Sequence, residues 1–190
     1  MKNEQRTFPG TTIKYTDAAR DSAFSVISPM LEATGGITLS QLSRLTGLEG
    51  STIQNWIKRG WVAHPAQKRY RENHLARIII LNMLRSSFQL EKIAVILRFV
   101  NGSADDRADD IIPDSALYTH LCVIIDRVLA DNVTDAPGVH ACVESCLTEY
   151  AEPFEGAREK LVTALTVMTL AYIASEIKRK AETLYDENIG

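Results

Sequence analysis

Residues 37–62, ITLSQLSRLTGLEGSTIQNWIKRGWV, constrain the fold of this chain more than any other stretch. They predict two short helices joined by a tight turn. Thr38 begins the first helix, because T-L-S-Q is a capping box in which Thr38 and Gln41 each accept a hydrogen bond from the other's backbone N–H. Gly47 ends it, since glycine adopts the left-handed conformation common at helix C-termini. A second box, S-T-I-Q, predicts another helix that begins near Ser51.

The second helix has an apolar face and a polar face. Ile53, Trp56 and Ile57 recur at helical spacing, so we expect them to face the core. The opposite face is polar and basic, as in a helix-turn-helix, whose second helix enters the DNA major groove. The candidate contacts with base edges or phosphates are Ser51, Thr52, Gln54, Asn55 and Lys58. Asn and Gln can read adenine, whereas Lys can read guanine or bind phosphate.

Charge is distributed unevenly along the chain. Residues 38–100 contain ten Lys and Arg and three Asp and Glu, a formal charge of +7. The other residues contain 11 basic and 21 acidic side chains, a charge of −10, and the whole chain carries −3. A basic module inside an acidic chain favours a polyanionic partner, above all nucleic acid, over an ordinary solvated face.

The segment after the second helix reads WVAHPAQKRYR and predicts a small β-hairpin, a wing. Its two β-type runs are residues 61–62 and 68–70, with a proline-containing loop between them. Basic side chains on a hairpin suit contact with phosphates or the minor groove. The candidate phosphate-binding residues are Lys68, Arg69 and Arg71 in this segment and Arg44 in the first helix.

The rest of the chain is predicted to be helical. Residues 1–36 are interpreted as an N-terminal arm and a helix that starts near Asp17. Residues 102–112, which contain DDRADD, form an acidic linker. Residues 113–190 form an all-α dimerisation or effector domain, whose last helix is nearly apolar all round in its middle. Residues 37–101 are the predicted DNA-binding domain.

Cysteine usage and hydropathy bear on the compartment. Three cysteines and no N-terminal signal segment favour reduced thiols in the cytoplasm. Cys142 and Cys146, one helical turn apart, could hold a metal, but such cysteines are more often part of an apolar core, so no metal site is predicted. The uncharged run between Lys160 and Glu176 is shorter than a membrane span and predicts a buried helix.

Residues 37–100 resemble the DNA-binding domain of MerR-type regulators. The resemblance rests on four elements in the family's order, LSQLSRLTG, NWIKRGWV, RYRENHLARI and SSFQLEKI, and covers about a third of the chain. The whole is similar to a group of uncharacterised bacterial proteins that pair a MerR-like head with a helical C-terminal half. The resemblance implies a winged helix-turn-helix. It does not imply the family's metal chemistry, because the chain lacks a cysteine-rich loop.

The sequence therefore predicts a mainly α protein with a MerR-like winged helix-turn-helix domain followed by a helical domain. The expected function is sequence-specific regulation of transcription, with double-stranded DNA and a second copy of the chain as partners and a small-molecule effector as a further possibility. The alternative is a protein-interaction adaptor that uses a repurposed winged helix without DNA binding. No enzyme or cofactor is predicted, because no catalytic constellation is present. No membrane association is predicted, because the longest uncharged run is shorter than a membrane span.

Overall fold

The protein is mainly α-helical. The structure, a computed structural model, describes residues 6–15, 24, 28–106 and 108–190. Its helices are α1 (Ser28–Thr34), α2 (Leu39–Thr46), α3 (Gly50–Lys58), α4 (Glu72–Leu84), α5 (Leu90–Asn101), α6 (Asp114–Ala130), α7 (Ala136–Cys146) and α8 (Ala157–Asn188). A two-residue antiparallel pair, β1 (Arg6–Thr7) and β2 (Lys14–Tyr15), precedes them. The helix predicted from about Asp17 lies, apart from Phe24, outside the described residues.

α4 is the central helix of the fold. Nine of its thirteen residues are buried, including the continuous run from Ile78 to Leu81. A helix that is apolar on most faces needs neighbours on several sides. α4 has them, because it packs against α2, α5, α6 and α8.

One continuous apolar core contains side chains from both the helix-turn-helix region and the C-terminal helices. α6 packs on α4, while α7 and α8 pack on α6 and on each other. Ile111 and Ile112, in the predicted linker, are both buried in this core. The back of the helix-turn-helix region is therefore supported by the chain's own C-terminal helices.

A buried polar network links α4, α5 and α6. The Arg77 guanidinium lies 3.2 Å from the Asp114 carboxylate, and the two side chains are only 7% and 10% exposed. Asn101 donates to Asp114 at 3.1 Å and to the carbonyl of Ile112 at 2.7 Å. Arg77 Nε donates to the carbonyl of Trp61 at 2.9 Å. The network thereby ties the chain just after α3 to the start of α6.

The predicted β-hairpin wing is wrong, because residues 61–71 contain no strand. The carbonyl of Trp61 accepts from Arg77, which removes it from any ladder. A short 3-10 helix occupies Ala66–Lys68, in which Gln67 has a left-handed φ of 51°. A chain turned in this way cannot present the extended backbone that a hairpin strand needs.

Tyr70 pairs with Ile37, two residues before α2, instead. Its N–H donates to the carbonyl of Ile37 at 2.8 Å, and the N–H of Ile37 donates to the carbonyl of Tyr70 at 2.9 Å. Gly36 permits this approach, because its φ is +112° and a Cβ there would lie 2.8 Å from the Tyr70 oxygen. The segment predicted to be a wing is therefore a connecting loop tied to the start of α2.

α8 is long and apolar enough to cross a membrane, with a mean hydropathy of 1.4 over its most apolar 18 residues. Half of that window is buried inside the protein, where α8 packs against α4, α5, α6 and α7. The core helix of a globular protein has the same length and composition, so the hydropathy of α8 is only a weak indication of a membrane span.

Candidate nucleic-acid interface

α2 begins and ends where the sequence predicts. The N–H of Gln41 donates to the Thr38 hydroxyl at 3.3 Å, and the N–H of Thr38 donates to the Gln41 side-chain oxygen at 2.8 Å. Gly47 ends the helix with φ +70°, and its N–H donates to the carbonyl of Ser43 at 2.8 Å. The capping box and the glycine terminus are confirmed.

Replacement of Thr38 with alanine is expected to lower the free energy of unfolding by about 1 kcal/mol, because it removes the acceptor for an N-terminal N–H of α2. Urea denaturation followed by circular dichroism measures the change. The matched control is Thr148→Ala, since Thr148 is exposed in the turn after α7. Equal stabilities of the two variants would contradict a stabilising role for the capping box.

The C-terminal carbonyls of α2 are bonded to other parts of the chain. Thr12 donates through its N–H to Leu45 and through its hydroxyl to Arg44, both at 2.9 Å. The Asn82 side chain on α4 donates to the carbonyl of Thr46 at 2.9 Å. Helix ends leave four carbonyls without an intrahelical partner, and these bonds satisfy three of them. The turn into α3 is held in place as a result.

α3 starts earlier than the second capping box predicts. It begins at Gly50 with Glu49 as the N-cap, and no side chain caps it. Gly50 lies against α2, where an added Cβ would be 3.2 Å from Leu39 Cδ2. Ser51 lies within the first turn, exposed to solvent, so the helix begins near Ser51 as predicted, whereas the predicted second capping box is wrong.

The inner face of α3 is the predicted one. Ile53 and Trp56 are almost completely buried, and Ile57 is buried as well. Trp61, just beyond the helix, is also buried. The expectation that Trp56 faces the core is confirmed, and neither tryptophan is available to stack on a base.

The outer face of α3 presents four polar side chains to solvent. Ser51, Gln54, Asn55 and Lys58 are all exposed, and Thr52 is half-buried. Spacings of three, four and seven residues place the four exposed side chains within about 100° of the helix circumference. The structure gives them no hydrogen-bond or ion-pair partner within the part of the chain that it describes. Their donors and acceptors are thus free to bind another molecule.

The other predicted phosphate contacts come from three different elements. Arg44 lies on α2, Lys68 in the connecting loop and Arg71 at the N-terminus of α4, and all three are exposed. Arg69 is exposed too, but its Nη1 donates to the carbonyl of Gly36 at 3.3 Å. Arg69 therefore helps to hold the connecting loop, and its remaining N–H groups could still contact a phosphate.

Two arginines of the basic region have structural roles that the sequence pattern does not reveal. Arg59 Nη1 lies 3.1 Å from Glu91 on α5, and its guanidinium lies 5.0 Å from the centre of the Trp61 ring. Arg77 is buried and paired with Asp114. The sequence offers no signal for either role, because the partners are distant along the chain. Arg77 is neutralised by Asp114, which lies outside residues 38–100. These residues therefore present less net positive charge to solvent than their formal +7.

Cys142 and Cys146 are both half-buried and reduced. Burial, reinforced by the neighbouring Cys146, raises the pKa of Cys142 to about 11, so this thiol is protonated near neutral pH. Arg127 Nη1 lies 3.6 Å from Cys146 Sγ. Within the described ranges, no three His, Cys, Asp or Glu side chains are grouped in a way that could hold a metal ion.

A cleft of about 940 Å³ opens between α4, α6, α8 and the N-terminal segment. Its lining is mixed, with an acidic group from Asp126, an apolar one from Leu129 and a basic one from Arg179. Asn82, which also bonds the end of α2, contributes to the same wall. The cleft is therefore in contact with a residue that holds the helix-turn-helix.

Comparison with known proteins gives two similarities. The model of a family described as a domain of unknown function (DUF1836) matches residues 28–121, just under half of the chain. The uncharacterized protein YkrK of Bacillus subtilis (strain 168) is 32% identical over 120 residues, which are 61% of this chain and 49% of that protein. The chain thus spans about half the length of this relative. No solved structure matches.

These similarities overturn the resemblance to MerR-type regulators. The family model that matches residues 28–121 covers most of the region on which the resemblance rests, and it is the model of a different family. The β-hairpin wing that the resemblance implies is absent from residues 61–71. Four short motifs in order were not enough to identify the family, because helix caps and apolar spacings recur in unrelated helix pairs.

Proposed function

We propose that the chain is a sequence-specific DNA-binding regulator of transcription in which α3 is the recognition helix. One observation carries the proposal: Ser51, Gln54, Asn55 and Lys58 form an exposed polar face on α3, the second helix of the α2–α3 pair. A solvated helix face on a globular protein is usually mixed in charge. This one contains no acidic side chain, which suits a polyanion.

The chemistry of these side chains fits base edges and phosphates. The amides of Gln54 and Asn55 can each pair with the N6 and N7 atoms of adenine, and Lys58 can reach guanine or a phosphate. Arg44, Lys68 and Arg71 would contact the phosphate backbone and so orient α3 in the major groove. Because the chain has no wing in residues 61–71, the connecting loop would make the phosphate contact beside α3 through Lys68.

The proposal includes a homodimer and a ligand-responsive half. Two copies related by a two-fold axis would present two α3 helices to two half-sites of a palindromic operator. The cleft between α6 and α8 would admit a small-molecule effector, and Asn82 would couple it to the end of α2. Such a regulator would act in the cytoplasm.

The direct test is fluorescence anisotropy with the DNA upstream of the protein's own gene and a scrambled duplex of equal length. We expect saturable binding that is at least ten-fold tighter for the natural sequence. The logarithm of the affinity should fall linearly with the logarithm of the salt concentration, with a slope of roughly −7 for about eight phosphate contacts, four from each copy of the homodimer.

Two results would contradict the proposal: no binding to either duplex at 50 mM salt, or equal affinity for both. In that event a protein-interaction adaptor is the better interpretation of the same face. A pull-down without DNA, comparing the wild type with Lys58→Glu, then separates the two functions. If the face binds a protein partner, Lys58→Glu loses that partner although no DNA is present.

A further inference from the structure

The C-terminal end of α8 extends beyond the core. Ser175 is the last buried residue of the helix, and every residue from 177 to 190 is exposed. The helical part of this end is about 18 Å long. The side chains of this end therefore lie outside the core of the chain that carries them.

The outer face of α8 carries a heptad repeat. Apolar or small side chains recur at alternating spacings of three and four residues. They are Val167, Leu170, Ala174, Ile177, Ala181 and Leu184, and Asn188 takes the next position. These residues, the α8 seam, occupy the a and d positions of a coiled coil, with Leu170, Ile177 and Leu184 at d.

From Ala174 onward the α8 seam lies on the exposed side of the helix, whereas Val167 and Leu170 are half-buried and Leu170 packs against the core. The core side is formed by residues such as Leu165 and Met168, which have no exposed surface. On the seam, Ile177 and Leu184 are 56% and 61% exposed. A single exposed leucine is ordinary, whereas Ala174, Ile177, Ala181 and Leu184 form a regular exposed stripe over about three helical turns, which marks a contact surface.

We propose that the α8 seam is the homodimer interface, on which α8 of a second copy packs in parallel, with like positions facing each other. Large d-position layers would alternate with small a-position layers at Ala174 and Ala181, so the helices could interdigitate as knobs into holes. This inference gives the homodimer of the proposed function its surface, but it does not depend on DNA binding.

The residues that flank the seam favour a second copy in parallel orientation. In a parallel pair a g position faces the e position five residues further on, so Lys180 would lie against Tyr185 of the second copy. An antiparallel pair in which Ile177 faces Ala181 would place Lys180 opposite Lys180 and Lys178 opposite Lys178. Asn188 at an a position also suits a parallel dimer, where the two amides can bond each other.

Insertion into a membrane does not fit the same end of the helix. Residues 178–187 contain six charged side chains, Lys178, Arg179, Lys180, Glu182, Asp186 and Glu187. Each charge placed in the hydrocarbon interior is costly. In a dimer these side chains stay in water, because they lie on the seam's flanks and on the opposite face.

The test uses the full chain and size-exclusion chromatography with light scattering. The wild type is expected at twice its mass of 21.1 kDa at micromolar concentration. The double variant Ile177→Asp and Leu184→Asp is expected at the monomer mass with unchanged helical content, since both residues are exposed. Thr183→Asp, on the polar side of the same segment, is the matched control and should remain dimeric. A monomeric wild type, or a dimeric double variant, would overturn the proposal.

Cross-linking tests the orientation. Leu184→Cys with copper phenanthroline as added oxidant is expected to form a covalent dimer, because d positions face each other in a parallel pair. Thr183→Cys should not form one, and the wild type measures the background from the three native cysteines. A dimer that fails to cross-link through Leu184→Cys would refute the parallel arrangement. Neither experiment contains DNA, so failure of DNA binding would leave this result unchanged.

Discussion

Replacement of Asp114 with alanine is expected to lower the free energy of unfolding by about 3–5 kcal/mol, as measured by urea denaturation. The variant removes the Asp114 carboxylate that pairs with the Arg77 guanidinium. The Arg77 side chain is only 7% exposed, so its charge is left in the interior without a counter-ion. Asn101 also loses an acceptor for its amide at a fully buried site. A buried charge without a counter-ion costs far more than the pair itself contributes.

The matched control is Asp131→Ala at the exposed end of α6, which should change the stability by no more than about 0.5 kcal/mol. A second variant replaces the pair by apolar groups, Arg77→Met with Asp114→Leu, and should recover part of the loss. If Asp114→Ala and Asp131→Ala were equally stable, the network would have no stabilising role. The pair would then serve only to orient Trp61.

Replacement of Asn55 with alanine is expected to weaken binding to the natural operator by about 1–3 kcal/mol, or roughly 5- to 150-fold. Binding to scrambled DNA should change little, because a base contact carries sequence information and a phosphate contact does not. Lys58→Glu is expected to weaken binding to both duplexes, since it places a negative charge against the phosphates. Fluorescence anisotropy at fixed salt measures all four affinities.

The control for Lys58→Glu is Lys160→Glu, which makes the same charge change at an exposed position in the first turn of α8. It should leave the affinity within about two-fold, because only charges within roughly a Debye length of the phosphates contribute strongly. Asn55 and Lys58 are exposed, so the melting temperatures of their variants should match the wild type. Operator binding that is insensitive to Asn55→Ala and Lys58→Glu would show that α3 does not read DNA.

The helix pair could be predicted in detail because its signals are local. Thr38 and Gln41 are three residues apart, and Gly47 ends α2 through its own backbone conformation. Ile53 and Trp56 are on the inner face because their spacing matches one helical turn. The exposed face of α3 follows from the same period. The nine predicted contact residues are accordingly at the surface or, for Thr52, at its edge.

The wing could not be predicted correctly because strand pairing is not local. Whether residues 61–71 form a hairpin depends on which groups accept and donate across the fold. The Trp61 carbonyl is bonded to Arg77, and Tyr70 pairs with Ile37, 33 residues earlier. Two short β-prone runs on either side of a proline are compatible with a hairpin and with an irregular connecting segment. Hydrogen bonds to the distant residues Arg77 and Ile37 select the connecting segment.

α8 shows most clearly how the two sources of information divide. The amino-acid sequence by itself determined that these residues form one long apolar helix, because helix propensity and spacing are properties of neighbouring residues. The three-dimensional packing alone decided which side of α8 is buried, since α4, α6 and α7 cover one face. Ile177 and Leu184 of the seam are left exposed, because they lie beyond Ser175, the last residue of α8 that the core buries. Burial is a property of the whole fold, and a periodic pattern cannot specify it alone.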